Sequence, residues 1–392
     1  MIIGHQDENY ACKRCITHIL EEATYRNIKK ENLYAYLWFT LRVLHKVGLL
    51  KKLKVDTSYK HFSLTSSRVD LHHLFNCVSF SKTPWITTFE SFVPRYSELL
   101  VNIGDGRIAF PATGNLVKAM QALAADSCRK IIALSECTRN MQEDLIQLFP
   151  EYAEPIRRKL CCLYPPQRLY VDSFAAKRLS LDGPISFLFV GRDFFTKGGA
   201  ELIKAFVRLV EEFHLPILLR IVSLLDAGNY ANLVSRAEIA AVQKTIDEAP
   251  WIEYHRELPN QDVIDLMLQS HVGILPSWAE TFGYSVLEFQ ATGCPVITTD
   301  VRAFPEINSN EVGYLIEVPK NDHGEGLYMT KPQRDVMARI IQQGIETAVG
   351  KIFLDRSEVA SKGERAIARV RKWHDPAAYA ETMRGIYHEA LR

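Results

Sequence analysis

"HVGILPSWAETFGYSVLEFQATGCPVITTD" (His271 to Asp300) opens on a short apolar run and crosses a polar loop. It then takes helical spacing from Tyr284 to Thr292 and closes on a β-branched run from Pro295 to Asp300. Two such runs joined by a helix predict a βαβ unit, because parallel strands need a crossover of this kind. The alternation spreads outward from this stretch. "ISFLFVG" (Ile185 to Gly191), "LPILLRIVS" (Leu215 to Ser223) and "WIEYHR" (Trp251 to Arg256) are further strand-like runs, and Gly199 to Phe213, Ser235 to Glu248 and Gln261 to Gln269 carry helical spacing. Near-continuous apolar strands separated by helices mean a parallel sheet covered on both faces. Ligands of such sheets lie beyond the carboxyl ends of the strands. The loops after Val190 and after Leu275 are therefore the places where chemistry is expected.

The first half is also α/β. "DLHHLFNCVSF", "TPWITTFES" and "KIIALSECTRN" have the character of strands ending in polar loops, and "GNLVKAMQALAAD" that of an apolar helix. Between the halves, "CCLYPPQRLYVDSFAAKRLSLDGP" has paired prolines, turn residues and no clean periodicity, which suits a connector with the boundary near Pro165 to Gly183. A chain of 392 residues exceeds what one core usually fills, so two domains are expected.

The 47% apolar and 24% charged composition is that of a globular protein, and a formal net charge of +1 gives no overall attraction to nucleic acid. Eight cysteines are too sparse for a disulfide scaffold, and "MIIGHQDENYACKRC" lacks the layout of a signal peptide, so a reducing cytoplasm is expected. Cys12 and Cys15 form one CxxC with no second ligand pair at a matching spacing; ordinary half-buried thiols fit better than a metal site.

In "VGRDFFTKGG", Arg192 directly follows a buried strand, and Lys197 precedes Gly198 and Gly199 at a helix start. A helix N-terminus favours anions such as phosphate, and two cations aimed into the same crevice reinforce it. The stretch is neither GxGxxG nor a P-loop, and a solvated turn with two surface cations is the competing reading. The second loop holds Glu280 and Glu288. Ser277 to Glu280 fits [ST]xx[DE], so Glu280 could close a capping box on a helix starting near Trp278. That helix would bury Gly283 in its interior at a cost of roughly 1 kcal/mol. A start near Tyr284 instead leaves free amides and a glycine that lets a ligand approach, with Glu288 just over one turn in, where its two oxygens suit a ribose diol.

These residues resemble the GT-B glycosyltransferases, specifically the large retaining group known as family 4. The likeness rests on "VGRDFFTKGG", on "LPSWAETFGYSVLEFQATGCPVITTDVRAFPEI" and on "KWHDPAAYAETMRGIYHEAL", and it covers Ser186 to Arg392. It implies two Rossmann-like domains facing a central cleft, and a nucleotide-diphosphate sugar as donor substrate rather than a bound cofactor. It further implies that Arg192 and Lys197 hold the donor diphosphate, Glu288 holds the ribose, and Glu280 lies beside the transferred sugar. The backbone of Thr281, Phe282, Gly283 and Tyr284, with Gly191 in the first loop, completes that donor site. Retention of configuration by front-side attack follows from the same resemblance. No Asp-x-Asp occurs in the chain, so metal independence is expected.

The first half departs from the family. Only Gly4 stands where a glycine-rich acceptor loop is usual, and "WITTFESFVPR" places Glu90 where many members carry a catalytic-site histidine. His72 and His73 end another strand-like run and are either cleft-facing or buried and satisfied. Residues 26 to 54 gather Arg26, Lys29, Lys30, Arg42, Lys46, Lys51, Lys52 and Lys54 around Tyr34, Tyr36, Trp38 and Phe39. This suits an interfacial helix on anionic lipid, against the alternative of a core helix with a wet face. The expected organisation is an acceptor domain over 1–170 with helix 376–392 packing back on it, and a donor domain over 184–375. The expected activity is sugar transfer to a glycan or lipid-linked acceptor in cell-surface polysaccharide synthesis. The alternatives are a nucleotide-sugar-binding subunit without turnover, and an epimerase or phosphorylase on the same fold.

Overall fold

The computed structural model describes residues 1–6, 8–49, 58–63, 68–100, 110, 113–226 and 231–392. Lys51, Lys52 and Lys54 of the basic run lie outside them. The described chain forms two compact units, the first from residues up to Pro166 together with Pro376–Arg392, the second from Gln167 to Asp375.

In the first unit the strands are β1 (Ile2–His5), β2 (Thr24–Asn27), β3 (Lys60–His61), β4 (Leu71–Phe75), β5 (Val78–Ser79), β6 (Trp85–Phe89), β7 (Cys128–Ala133) and β8 (Leu160–Cys162). Six of them make a sheet in the order β2-β1-β4-β6-β7-β8, every pair parallel, while β3 and β5 pair separately. Successive strand residues point to opposite faces. Thus Trp85 and Ile131 join a core with Leu116, Met120 and Leu145, whereas Ile86 and Ile132 join another with Tyr379, Met383, Ile386 and Tyr387. That second core is closed by helix Pro376–Ala390, each of whose large apolar side chains removes surface worth about 2 kcal/mol from water.

The second unit continues with β9 (Ile185–Asp193), β10 (Ile217–Leu224), β11 (Ile252–His255), β12 (Val272–Leu275), β13 (Val296–Thr299) and β14 (Tyr314–Ile316). Their order is β11-β10-β9-β12-β13-β14, all parallel. Counted from β9 this is 3-2-1-4-5-6, the doubly wound arrangement, whose direction reverses between β9 and β12. The two loops singled out in the sequence therefore leave the sheet from adjacent strands at the reversal point. Residues 167–177, which have the composition of a connector, pack with this unit. Gln167 N–H donates to the His374 carbonyl (2.7 Å), Tyr170 N–H to that of Ala291 (3.0 Å), and Phe174 is buried.

Candidate functional site

β9 runs two residues beyond the expected glycine, so Arg192 stands on the exposed end of the strand rather than in the loop. The turn that follows is fixed from below by Phe194 and Phe195, both fully buried. Gly198 has φ +81 and begins helix Gly199–Glu211; a Cβ there would sit 2.1 Å from the Pro276 carbonyl oxygen. Only glycine permits this approach, and it draws the cationic turn against the loop leaving β12. Trp278 N–H donates to the Thr196 carbonyl (3.0 Å) across the same seam. Lys197 Nζ then donates to Glu280 Oε2 (2.8 Å) and to the Ala279 carbonyl (3.2 Å), with the two charged side chains 16% and 12% exposed.

The capping-box start at Ser277 does not form. Gly283, at φ +95, heads a helix spanning Tyr284–Ala291, and a Cβ on it would lie 2.3 Å from Phe304 Cε1. Glu280 accepts from Lys197 and from its neighbour's amide, Thr281 N–H (3.0 Å), instead of from a capping contact. Glu288 is four residues into the helix, about 6 Å along its axis, and is buried. Phe282 is buried too, so it offers only its backbone to a ligand at this helix end.

Beside the ends of β9, β10 and β11 lies a cavity of about 520 Å³ whose walls include Gly191, Arg192, Ser223, Arg256 and Pro259. Its floor is tied together by hydrogen bonds from Ser223 Oγ to the Gly191 carbonyl and from Tyr254 Oη to the Ser223 carbonyl (3.0 Å). The structure thus groups Gly191 and Arg192 with residues 256–259, and Lys197 with Glu280.

Two buried acids near these loops carry no sequence signal. Glu201 sits on the apolar face of helix Gly199–Glu211, where Oε2 accepts from Trp278 Nε1–H (2.9 Å) and Oε1 from Asn232 (3.5 Å). It braces the residue two before Glu280. Arg302, with φ +51, directs a buried guanidinium towards Glu325 (3.8 Å), whose other oxygen accepts from Tyr328 Oη (2.8 Å). Burial pushes both carboxyls up; Glu325 also feels Lys197, which lowers it, and Glu280, which raises it. A raised carboxyl gives stability that is full below its ordinary value of 4.5 and is lost as pH climbs through the folded value. Glu201→Gln, which keeps an acceptor for the indole, is therefore expected to flatten the fall of melting temperature as pH rises above 4.5. Glu201→Ala should cost about 1–3 kcal/mol near pH 4.5 by orphaning the Trp278 N–H, and less as pH rises. A Gln variant whose profile parallels the parent would refute the assignment.

In the first unit Glu90 follows β6, pairs with Arg95 and accepts from Asn76 Nδ2 (3.4 Å); Thr138 Oγ1 bonds its carbonyl (3.1 Å). His72 and His73 are fully buried, as in the second of the two readings given for them. His73 Nδ1 and Nε2 lie 2.8 Å from Tyr387 Oη and Thr88 Oγ1, and the His72 ring meets His61 edge-on at 4.6 Å. Cys12 and Cys15 are buried free thiols, and among the described residues no group of three or more His, Cys, Asp or Glu could hold a metal ion.

Residues 172–326 match the model of the family described as Glycosyl transferases group 1. At full length, the chain superposes on Anabaena HepE, solved in complex with UDP-glucose, with a TM-score of 0.59 at 12% identity over 99% of both chains. The fold is GT-B. Among curated relatives, glycogen synthase of Mycobacterium tuberculosis is 26% identical over 266 residues, covering 67% of this chain and 56% of the relative. D-inositol 3-phosphate glycosyltransferase of Corynebacterium jeikeium is 23% identical over 202 residues, covering 51% and 42%. The matches span about half the length of these relatives, and both are glycosyltransferases. The matched GT-B region contains both loops at the sheet reversal, with Arg192, Lys197, Glu280 and Glu288.

Proposed function

We propose that this chain is a retaining, metal-independent glycosyltransferase of family 4 that takes a sugar from a nucleotide-diphosphate donor. The observation carrying this reading is the pairing of Lys197 with Glu280 beside the glycine-opened helix at Gly283, at the reversal point of the second sheet. The donor's base takes the cavity beside Arg256 to Pro259, and its ribose diol bonds Glu288. Its diphosphate meets Arg192, Lys197 and the backbone from Thr281 to Tyr284, with Gly191 allowing close approach. The bond from the anomeric carbon to the diphosphate oxygen breaks, and the acceptor oxygen bonds the same carbon from the same face. The acceptor proton passes to the departing phosphate oxygen. Negative charge grows on the diphosphate, and fixed cations and amides stabilise it without reorganising. Glu280, held by Lys197, faces the transferred sugar, and Glu90 serves the sugar from the first unit. No cofactor takes part.

Supporting the donor class, HepE was solved with UDP-glucose and glycogen synthase is a relative. The acceptor is a glycan or a lipid-linked acceptor of cell-surface polysaccharide synthesis, and the enzyme itself is cytoplasmic. Peripheral contact with anionic membrane is part of the same reading. Helix Leu33–Lys46 buries none of its residues, and no described helix is long and apolar enough to cross a bilayer.

A thermal-shift screen of UDP, GDP and ADP is expected to raise the melting temperature with one of them. Ligand at a hundredfold excess over Kd adds about 2.7 kcal/mol, a rise of a few degrees. Arg192→Ala should weaken that shift, and the absence of a shift with all three would overturn the donor site. A second reading is a nucleotide-sugar-binding subunit without turnover, favoured by Glu90 being engaged with Arg95 and Asn76. Release of nucleoside diphosphate from the sugar nucleotide decides between them.

A further inference from the structure

Helix Leu33–Lys46 is an unusual element for a folded unit. Tyr36, Leu37, Trp38, Phe39 and Val43 are all between 39% and 63% exposed, and the turn after it leaves Val47 and Leu49 62% and 74% exposed. Such a run of apolar surface marks an interaction site rather than scatter. Its surroundings are cationic. From Arg26 to Leu49 there are five Lys or Arg residues against the single acid Glu31, in a chain whose overall balance is +1. Arg42 lies over the Trp38 ring at 5.0 Å, an arrangement that keeps a cation and an indole together at one level.

Next to the first turn of this helix is a cavity of about 590 Å³. Tyr34, Phe62 and Phe80 give it apolar walls, Lys60 and Lys118 give it two ammonium groups, and serine, asparagine and glutamine side chains add neutral polar surface; among the described residues lining it there is no acid. Lys60 is buried, its ammonium 4.9 Å from the Tyr96 ring centre and 3.5 Å from Asn115 Oδ1. Lys118 is exposed at the rim. The cavity and the helix are mechanically joined through Asn32. Its Oδ1 accepts from Tyr34 N–H and Phe62 N–H (both 3.1 Å), and its Nδ2 donates to the Lys60 carbonyl (2.8 Å). Tyr34, Trp38 and Arg42 succeed one another at four-residue spacing, so one ridge of the helix leads away from the cavity, Trp38 about 6 Å beyond Tyr34.

We propose that this cavity is a binding site for the phosphate headgroup of an anionic membrane lipid, delivered while the helix lies in the bilayer interface. Phosphate charge pairs with Lys60 and Lys118, headgroup hydroxyls meet the neutral polar lining, and the first carbons of the acyl chains run along the Tyr34–Trp38 ridge. The helix supplies apolar burial, while the cavity adds a specific contact that a general polybasic surface lacks. The proposal rests on the membrane reading of the first unit and is independent of the donor chemistry of the second.

The test is sedimentation of the full chain with vesicles of phosphatidylcholine alone, or with a third of it replaced by phosphatidylglycerol, alongside binding of soluble glycerol phosphate followed by NMR. Expected are sedimentation with the anionic vesicles only, and weak glycerol phosphate binding. Phe39→Asp should abolish sedimentation and keep glycerol phosphate binding. Lys118→Glu should lower vesicle affinity about tenfold and lose glycerol phosphate, with Lys118→Arg restoring both. Lys244→Glu, an equal charge change on an exposed helix of the other unit, should leave both intact. A retained melting-temperature rise with nucleotide in each variant shows that the fold and the donor site are unaffected, so failure here is separable from failure there. Equal vesicle binding by Lys118→Glu and Lys244→Glu overturns the headgroup site. Failure to sediment at all, with a concentration-dependent dimer that Phe39→Asp abolishes, assigns the helix to a second copy and overturns it as well.

Discussion

Replacing Lys197 by alanine is expected to lower turnover of the sugar nucleotide by about 100- to 1,000-fold, the usual consequence of deleting one fixed donor that faces growing negative charge. The structure adds a second effect. Lys197 and Glu280 are each less than one-fifth exposed and lie 2.8 Å apart, so the variant leaves a mostly desolvated carboxylate without its ammonium. Removing one partner of a buried pair costs about 3–5 kcal/mol, and residual exposure here reduces that to about 1–3 kcal/mol. Glu280→Ala should show a loss of the same kind from the opposite side. The double variant should recover part of the stability lost by either, because no lone charge remains, while activity stays low. Urea unfolding of the four proteins gives the coupling energy, and nucleoside diphosphate release gives the rates. Wild-type turnover in Lys197→Ala would sink the assignment of this pair to the donor site.

Acid should unfold the first unit well before carboxylate protonation alone would. Burial depresses His61 to about 3, His72 to about 4 and His73 to about 3, with His72 lowering His61 further and His5 lowering His73. These rings stay neutral in the folded chain and take protons in the unfolded one. Stability is thus fully present above the ordinary value of 6.5 and lost as pH falls towards the folded values. At pH 5 each contributes a loss of about 2 kcal/mol, together about 6 kcal/mol, against a domain stability of about 5–15 kcal/mol. Hydrogen exchange resolved by unit, at pH 7.5 and pH 5, should show protection collapsing first around β4, β6 and helix Pro376–Ala390. His271 in the second unit is also lowered by burial, but there the raised carboxyls of Glu201 and Glu325 oppose its effect as pH falls. A first unit equally protected at both pH values would contradict the burial of these histidines.

The second sheet was legible because its strands are apolar on both faces and short, with helices of clear period between them. What escaped was β14, only three residues long, and the two long helices Lys331–Leu354 and Ser357–Trp373, whose polar content hides their buried stripe. The helix start at Tyr284 followed from the energetic cost of an interior glycine, and the positive φ of Gly283 is the same physics in the folded state. Glu201 and Glu325 could not be read, since a buried acid is written with the same letter as a solvated one and only its tertiary partners distinguish it. In the first half the edge strands β2 and β8 are half-exposed, which removes the apolar run that reveals a central strand. The polar loops after β9 and β12 gave the donor-side candidates, whereas the position of His73 depended on Thr88, fifteen residues on, and on Tyr387, over three hundred residues away.

The helix Pro376–Ala390 lies more than two hundred residues downstream of the strands whose face it covers, and it places Tyr379, Met383, Ile386 and Tyr387 against Ile3, Leu71, Ile86 and Ile132. During synthesis the first unit must therefore wait, half its sheet wet, while the second unit, encoded later, already holds every strand it needs. A released chain cut after Asp375 should display a protease-resistant second unit and a chaperone-dependent first one, reversing the order in which the two were made.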